Sequence, residues 1–352
     1  MKEENSKEIP IFFAVDDTYI PFLGVALQSL LENSSKNYKY LAKILYTKIS
    51  NENMEKINNF KTKYKQLDIE FVDVNSYLHQ IEDKLYTRDY FSKSTYFRLF
   101  IPDLYPQYKK ALYLDSDITV LSDISKLYNT KLETNLLAAA PDDVIDTIPV
   151  FQEYAEKVVG VADYKNYFNA GILVMNLDEL RKFRFQEKFL YLLKTTKFSV
   201  AQDQDYLNRL CKGRVTLLSK SWNKMPVSGD SIPRNKINLI HYNLAFKPWH
   251  FDGVLYEEYF WKYAKKTEFY KQILSIKENY PKESIEKDSE GDKKLRELAQ
   301  MECDCVGDDR YYVIKKTELE EHKVASVINN NETFDEDSDF DDEFDGILAY
   351  DG

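Results

Sequence analysis

Two carboxylates that are one residue apart, Asp115 and Asp117, follow the apolar run Ala111–Leu114. The run predicts a buried strand, and α/β sheets bind ligands at the carboxyl ends of such strands. Two hard oxygen ligands at this position could hold a divalent cation, which in turn could hold a diphosphate. Ordinary surface turns show the same spacing, so the metal interpretation requires further ligands from elsewhere in the chain.

A histidine and a lysine late in the chain could complete such a site. His241 follows the apolar run Ile237–Ile240, and Lys247 lies in the sequence Lys247-Pro248-Trp249-His250. A lysine beside a metal-held diphosphate adds positive charge where a leaving group develops negative charge. An imidazole with two carboxylates suits Mn²⁺, with Mg²⁺ as the less typical alternative. A lone histidine at a strand end is more often structural, and that alternative stays open here.

Polar side chains at other predicted element ends could surround a sugar. Asn169 precedes a predicted strand that starts at Gly171, where glycine permits close backbone approach, although a simple turn would look the same. The sequence Gln-Asp-Gln-Asp at 202–205 opens a predicted helix. Helix capping explains one of these aspartates, but four polar groups exceed what capping needs. Side chains of this segment could therefore contact sugar hydroxyls and face the anomeric carbon.

The end of the first predicted strand also carries two carboxylates, Asp16 and Asp17. This is where a parallel sheet meets the base and ribose of a nucleotide, while a helix N-cap is the competing explanation for one of them. Residues 18–21 contain no glycine, which disfavours a dinucleotide dehydrogenase or a P-loop enzyme. Bound phosphates would therefore need a metal and cationic side chains.

Strand-like apolar runs alternate with helix-like stretches, which argues for βαβ units and a mainly parallel sheet. The predicted strands are 9–15, 41–46, 69–74, 111–114, 136–140, 171–177, 215–218 and 237–241. The predicted helices are 19–31, 51–64, 94–100, 180–193, 202–210 and 256–276.

The charge of the chain is concentrated at its C-terminal end. The 352 residues include 48 basic and 59 acidic ones, a net charge of -11, but residues 331–352 hold ten of the acidic residues and no Lys or Arg. The remainder is nearly neutral and shows no basic concentration of the kind that binds nucleic acid. Three cysteines, no signal peptide and no long apolar run lead us to expect a cytoplasmic protein.

The C-terminal third predicts three further segments. Residues 256–280 form an aromatic and basic helix that either packs on the main domain, 9–255, or touches the inner face of an anionic membrane as a peripheral contact. Residues 281–330 are expected to be a linker or extension of uncertain structure, and 281–290 is charged like a linker. Residues 331–352 are expected to be a disordered acidic tail, because like charges repel.

Taken in order, these motifs resemble those of family 8 glycosyltransferases. They are Asp16-Asp17, Arg98, Asp115-x-Asp117, Tyr167-Phe168-Asn169-Ala170-Gly171, Asp203-Gln204-Asp205, and His241 with Lys247-Pro248-Trp249-His250. The family comprises retaining enzymes such as bacterial lipopolysaccharide galactosyl- and glucosyltransferases and glycogenin. The resemblance covers roughly residues 9–275. It implies an α/β fold of the GT-A type with a mixed, mainly parallel sheet, Mn²⁺, and transfer of glucose or galactose from a UDP-sugar to a glycan or lipid-linked acceptor in bacterial cell-surface polysaccharide synthesis.

The resemblance also implies roles for particular residues. Asp115, Asp117 and His241 would be the metal ligands. The donor would contact Asp16, Asp17, Thr18, Arg98, Asp115, Ser116, Asp142, Asn169 and Lys247, with Lys247 at the diphosphate. Thr18 stands where the family often has Asn, and the choice of Asp142 over Asp143 rests on counting from the strand at 136–140.

Asp203 and Gln204 would be the catalytic residues. Because a carboxamide is a poor nucleophile, we expect front-face transfer in which the departing UDP oxygen helps to deprotonate the acceptor. Two alternatives are a nucleotidyltransferase that makes the sugar nucleotide and a glycan-binding protein with little or no activity. The first usually carries a Gly-rich phosphate loop, and the second would not need a complete set of metal ligands.

Overall fold

A computed structural model describes residues 7–75, 77, 93–227, 232–243 and 245–305 of the chain. The strands are β1 (Lys7–Ala14), β2 (Tyr38–Tyr46), β3 (Leu67–Asp73), β4 (Lys110–Leu114), β5 (Ile118–Val120), β6 (Leu137–Pro141), β7 (Phe168–Asn176), β8 (Val215–Leu217) and β9 (Leu239–His241). Seven of them form one sheet in the order β3-β2-β1-β4-β7-β6-β8, and β5 pairs with β9.

The helices lie between and after these strands. The α-helices are α1 (Ile20–Asn33), α2 (Asn51–Asn58), α3 (Phe60–Lys63), α4 (Ile101–Leu104), α5 (Ser125–Tyr128), α6 (Pro149–Tyr154), α7 (Leu177–Lys182), α8 (Phe185–Thr195), α9 (Asp203–Cys211), α10 (Glu257–Ala264), α11 (Tyr270–Glu278) and α12 (Lys282–Cys305). Short 3₁₀ turns include Lys93–Phe100 and Lys220–Trp222, and Ala155–Val159 is π-helical.

The large sheet is mixed and mainly parallel, as predicted for the α/β class. Strands β1 to β4 run parallel, as do β6 and β8, whereas β7 runs antiparallel to both β4 and β6. Successive side chains of a strand face opposite sides of a sheet. Accordingly, Phe12 packs into one hydrophobic cluster, while Ile11 and Phe13 pack into the other. Both faces of the sheet are therefore buried.

Strand β7 begins earlier than the sequence predicts. It starts at Phe168, so Asn169 lies within the strand and not before it. Backbone hydrogen bonds extend the pairing on both edges: the Asp115 N–H donates to the Gly171 carbonyl, and the Asp142 N–H donates to the Tyr167 carbonyl. These bonds fix both carboxylate-bearing loops against the start of β7.

Several predicted helices are interrupted. The stretch at 180–193 belongs to two helices, because Arg184 adopts a left-handed conformation (φ 54°) between α7 and α8. The stretches at 51–64 and 256–276 are likewise divided, into α2 and α3 and into α10 and α11. Apolar spacing persists across these breaks, and for that reason the sequence pattern alone does not reveal them.

The aromatic helices α10 and α11 pack against α1. Phe260, Tyr263, Phe269 and Ile273 are buried there, and the side-chain amide of Asn33 donates to the Tyr263 hydroxyl at 2.9 Å. The aromatic faces of α10 and α11 thus pack against the rest of the protein. No helix within the described ranges has both the length and the apolar character needed to cross a bilayer.

Helix α12 occupies the segment predicted as a linker, so that prediction is wrong for residues 282–290. Ion pairs four residues apart support the helix, including Lys294–Glu290 and Arg296–Asp292. Its far end buries Ala299 and Cys303 in the core. The predicted acidic tail at 331–352 lies outside the described residues.

Candidate active site

Asp115, Asp117 and His241 meet at one end of the large sheet. The two aspartates lie between β4 and β5, and His241 ends β9, directly opposite Ile118 of β5. One ligand atom of each lies within 4.8 Å of those of the others. His241 Nε2 is 3.5 Å from Asp115 Oδ2 and 3.2 Å from Asp117 Oδ1. The pairing of β5 with β9 thus joins ligands that are far apart in the sequence.

Lys247 adds a buried positive charge to this group. Its Nζ donates to Asp117 Oδ2 and to the Tyr242 carbonyl, each at 2.5 Å. Burial raises the pKa of Asp117, but the Lys247 ammonium that contacts its carboxylate holds this pKa well below its usual range. Asp117 is therefore ionised, as a metal ligand must be.

Arg98 connects this group with Asp203. The guanidinium is buried, with Nη2 at 3.1 Å from Asp115 Oδ1 and Nε at 3.1 Å from Asp203 Oδ2. It also lies over the Tyr113 ring, 4.3 Å from the centroid. Burial raises the pKa of the Asp203 carboxyl to about 7, although the Arg98 charge opposes that shift. Arg98 thus lies between two carboxyl groups and reduces the repulsion between them.

The side-chain amide of Gln204 forms four hydrogen bonds. Its Oε1 accepts hydrogen bonds from Asn169 Nδ2 (3.1 Å) and the Ala170 N–H (3.0 Å). Its Nε2 donates to Asp142 Oδ2 (3.1 Å) and the Tyr167 hydroxyl (3.3 Å). Because a backbone N–H can only donate, the Ala170 contact fixes which end of the carboxamide is oxygen. Gln204 therefore has one orientation in this cluster.

Asp142 belongs to this cluster and Asp143 does not. Asp142 Oδ2 accepts from Asn169 Nδ2 as well as from Gln204, and burial raises the pKa of Asp142 while these hydrogen bonds oppose the shift. Asp143 instead forms ion pairs with Lys220 (2.9 Å) and the fully buried Lys224 (3.0 Å). Asp142, the aspartate selected by counting from the predicted strand, is thus the one that contacts Asn169.

The two carboxylates at the end of β1 accept hydrogen bonds from neighbouring parts of the protein. Asp16 Oδ1 accepts from the Thr18 N–H (2.9 Å), the Thr18 hydroxyl (2.6 Å) and the Tyr19 N–H (3.1 Å), which shapes the turn into α1. Asp17 Oδ1 accepts from the Ser50 N–H and from Asn53 Nδ2, each at 2.8 Å. Neither aspartate is itself a helix N-cap, since Tyr19 is the N-cap residue of α1 and Ser50 that of α2. These contacts do not bring Asp16, Asp17 or Thr18 into the metal-ligand group.

Ser116 and Gly171 lie in direct contact with the candidate metal ligands. Ser116 is buried between the two aspartates. A Cβ on residue 171 would lie 2.3 Å from His241 Cε1 and 2.6 Å from Asp115 Oδ2. The absence of a side chain at Gly171 therefore lets His241 and Asp115 approach the backbone of β7 closely.

Asn223 and Lys224 are the residues that sequence reasoning misses. Asn223 Oδ1 lies 3.0 Å from His241 Nδ1, and its Nδ2 donates to Asn169 Oδ1 at 2.9 Å. Both residues follow a 3₁₀ turn and belong to no spaced motif or strand end. Only the tertiary structure shows that Asn223 bridges the two halves of the site.

Comparison with known proteins agrees with this geometry. The family model for glycosyl transferase family 8 matches residues 10–253 of the sequence. A putative glycosyltransferase from Haemophilus influenzae is 33% identical over 253 residues, covering 70% of this chain and 74% of its own length. A lipopolysaccharide 1,2-glucosyltransferase from Escherichia coli is 25% identical over 320 residues, covering 85% and 88%.

Solved structures show the same fold. The galactosyltransferase LgtC, in complex with donor and acceptor sugar analogs, superposes with a TM-score of 0.61 at 26% identity, covering 75% of this chain and 100% of that one. The WbbM bifunctional glycosyltransferase gives a TM-score of 0.69 at 26% identity and covers 79% of this chain. The present chain spans only about half of WbbM, 53% of its length.

Proposed function

Because the chain belongs to glycosyltransferase family 8, we propose that it transfers glucose or galactose from a UDP-sugar to a glycan or lipid-linked acceptor with retention of configuration. The observation that carries this proposal is the group formed by Asp115, Asp117 and His241, whose ligand atoms converge from two separate segments. The similarity to a lipopolysaccharide 1,2-glucosyltransferase supports a role in bacterial cell-surface polysaccharide synthesis.

The proposed cofactor is Mn²⁺, with Mg²⁺ as the alternative. Two carboxylates and one imidazole suit Mn²⁺ better than Mg²⁺, and the ionised state of Asp117 favours binding of either cation. When bound, the cation would supply Lewis-acid stabilisation to the leaving diphosphate. Lys247, whose ammonium already touches Asp117, would contribute further positive charge to the diphosphate.

The sugar would lie beside Arg98, Asp142, Asn169, Asp203 and Gln204. Gln204 is a poor nucleophile, and both ends of its carboxamide are fixed by hydrogen bonds. These two facts favour front-face transfer. The bond between the anomeric carbon and the UDP oxygen breaks, the acceptor oxygen bonds to that carbon on the same face, and the acceptor proton passes to the departing diphosphate. The fixed dipole of Gln204 would stabilise the positive charge that develops on the sugar.

We place the enzyme in the cytoplasm, at the inner face of the membrane when the acceptor is lipid-linked. The buried aromatic side chains of α10 and α11 leave exposed lysines such as Lys262 and Lys265 on the surface. A contact with anionic lipid would therefore be electrostatic rather than apolar, and it would weaken as salt is raised.

Release of UDP tests the proposal directly. The full chain is incubated with a panel of UDP-sugars and Mn²⁺, and we expect turnover with one UDP-hexose and its loss in Asp117→Asn. Asp68→Asn is the matched control, because Asp68 is an exposed residue of β3 whose ion pair with Lys39 spans 3.8 Å. Undiminished turnover of Asp117→Asn in Mn²⁺ would contradict the proposed role of the metal.

A further inference from the structure

A directional series of hydrogen bonds joins the proposed sugar contacts to a proposed metal ligand. The Gly171 N–H donates to Asn169 Oδ1 at 2.9 Å, and because a backbone N–H can only donate, this atom of Asn169 is the acceptor oxygen. Asn223 Nδ2 donates to the same oxygen at 2.9 Å. The other end of the Asn223 amide, Oδ1, is therefore an acceptor, and it faces His241 Nδ1 at 3.0 Å.

The polarity of this series determines the protonation of the histidine ring. An amide oxygen accepts and does not donate, so the proton of neutral His241 must sit on Nδ1. The lone pair of the ring is then on Nε2, the atom that lies 3.2 Å from Asp117 Oδ1 and 3.5 Å from Asp115 Oδ2. The main chain of β7 thus sets which nitrogen of His241 is offered to a cation.

Burial protects these hydrogen bonds from competition by water. The exposed fractions are 6% for Asn169, 0% for Asn223 and 2% for His241, so bulk water cannot replace any of the hydrogen bonds. Gly171 leaves no free space beside the ring, since even a Cβ there would meet His241 Cε1 at 2.3 Å. The ring therefore has one position as well as one tautomer.

We propose that Asn223 is a positioning residue that holds His241 in its Nδ1–H form with Nε2 directed at the catalytic cation, and that couples this ligand to Asn169. The proposal rests on the proposed metal-dependent function. Outer partners of this kind orient a ligating histidine and raise its basicity, and their loss typically costs about 10- to 100-fold in metal affinity.

Titration calorimetry of the full chain with Mn²⁺ tests this role. Asn223→Ala should bind Mn²⁺ about 10- to 100-fold more weakly than the wild type, because His241 loses its partner. Asn223→Asp should retain most of the affinity, since a carboxylate can also accept from Nδ1. It cannot donate to Asn169 Oδ1, however, so its kcat for UDP release should fall even at saturating Mn²⁺.

Asn208→Ala is the matched control for loss of a buried asparagine. Asn208 is 1% exposed, and its amide bonds the Phe168 N–H and carbonyl without touching His241. This variant should lower the thermal stability but leave the affinity for Mn²⁺ unchanged. Equal Mn²⁺ affinity in Asn223→Ala and the wild type would overturn the proposal.

The tautomer provides a readout that is independent of the metal. The chain has four histidines, so ¹⁵N spectra of histidine-labelled protein contain few signals, and His241→Gln assigns the relevant one. Once the ring is neutral, as shown by signals that no longer change when pH is raised, the wild type should show the Nδ1–H form. An Nε2–H form would refute the inference. Failure of the wild type to bind Mn²⁺ would instead refute the proposed metal dependence.

Discussion

Gly171 shows how a residue without a side chain can determine a binding site. The space that its absent Cβ would occupy is filled by two candidate metal ligands, His241 and Asp115. Asp115 approaches because β7 pairs with β4, which leads to Asp115, and His241 approaches because β9 pairs with β5. Glycine is therefore required at this position for reasons of space. Every other residue type has a Cβ that would clash with these two side chains.

Replacement of Gly171 by alanine should damage the metal site more than the fold. The new methyl group would force His241 and Asp115 apart, and a displacement of about 1 Å at a reacting centre can cost about 100-fold in rate. We expect Gly171→Ala to weaken Mn²⁺ binding and to lower the rate of UDP release by about that factor. Calorimetry and the UDP assay measure the two effects, and wild-type values for both would show that the ligands do not need this space.

The sequence identifies those site residues that stand at the ends of strands. Asp115, Asp117 and His241 could be predicted because each follows an apolar run, and chain direction brings such ends together. The same rule is less informative for Asp16, whose carboxylate accepts from the turn into α1, and for Asp17, whose carboxylate accepts from the start of α2. Asn223 could not be predicted, since its role depends on the position of β7 relative to β9 and on no local pattern.

At the scale of elements, the packing of the C-terminal helices on α1 depends on one close contact. A Cβ on Gly24 of α1 would lie 2.4 Å from the Phe269 ring, and that ring is fully buried. Phe269 therefore docks directly on the backbone of α1. This contact fixes α10 and α11 to the same face of the sheet as α1.

Two substitutions of glycine by alanine should have opposite effects on stability. Gly24→Ala should destabilise the protein by about 1–3 kcal/mol, because the buried Phe269 ring has to shift. Gly291→Ala in α12 is the control: a Cβ there meets nothing within 4 Å, so alanine should stabilise the helix by about 0.5–1 kcal/mol. Thermal unfolding measures both changes. An equal gain in the two variants would show that Phe269 does not constrain α1.

The elements were predictable to the extent that local pattern determines them. The eight predicted strands follow apolar runs, and their ends agree with those of β1 to β4 and β6 to β9 to within three residues. Strand β5, which pairs with β9, was not predicted. The early start of β7 reflects backbone bonds from its two neighbours, which extend it over polar residues. Helix α12 was not predictable from its charged N-terminal half, since its stability depends on the burial of residues near its far end, such as Ala299.

For the molecule as a whole, the candidate site places several charges inside a fold that would be more stable without them. Burial raises the pKa of Asp203 to about 7 and that of Asp205 to about 6, so both carboxyls resist ionisation in the folded state. Asp205 is satisfied by the Tyr154 and Tyr167 hydroxyls. Asp203 faces the Arg98 guanidinium and makes no other ion pair in the described part of the chain. Its charge is thus better explained by function than by folding.

The raised pKa of Asp203 predicts a stability difference between Asp203→Asn and the wild type that grows with pH. The pKa of Asp203 is 3.8 in its ordinary state and about 7 when folded. Between about pH 4 and about pH 7 the folded chain keeps a proton that the unfolded chain has released. Unfolding then releases a proton, and the contribution of Asp203 to stability declines as pH rises through this window. Asp203→Asn removes that decline, while Arg98 keeps its contact with Asp115.

Thermal unfolding of Asp203→Asn and the wild type at about pH 5 and about pH 8 measures the difference on the two sides of the folded pKa. The melting temperature of the variant, relative to that of the wild type, should be higher at the upper pH, whereas UDP release should be impaired at both. Asp68→Asn, an exposed control, should show no such change with pH. A relative stability of Asp203→Asn that stays constant or falls as pH rises would mean that the Arg98 ion pair outweighs the cost of burying the carboxylate. In that case Asp203 would contribute to folding as well as to the proposed chemistry.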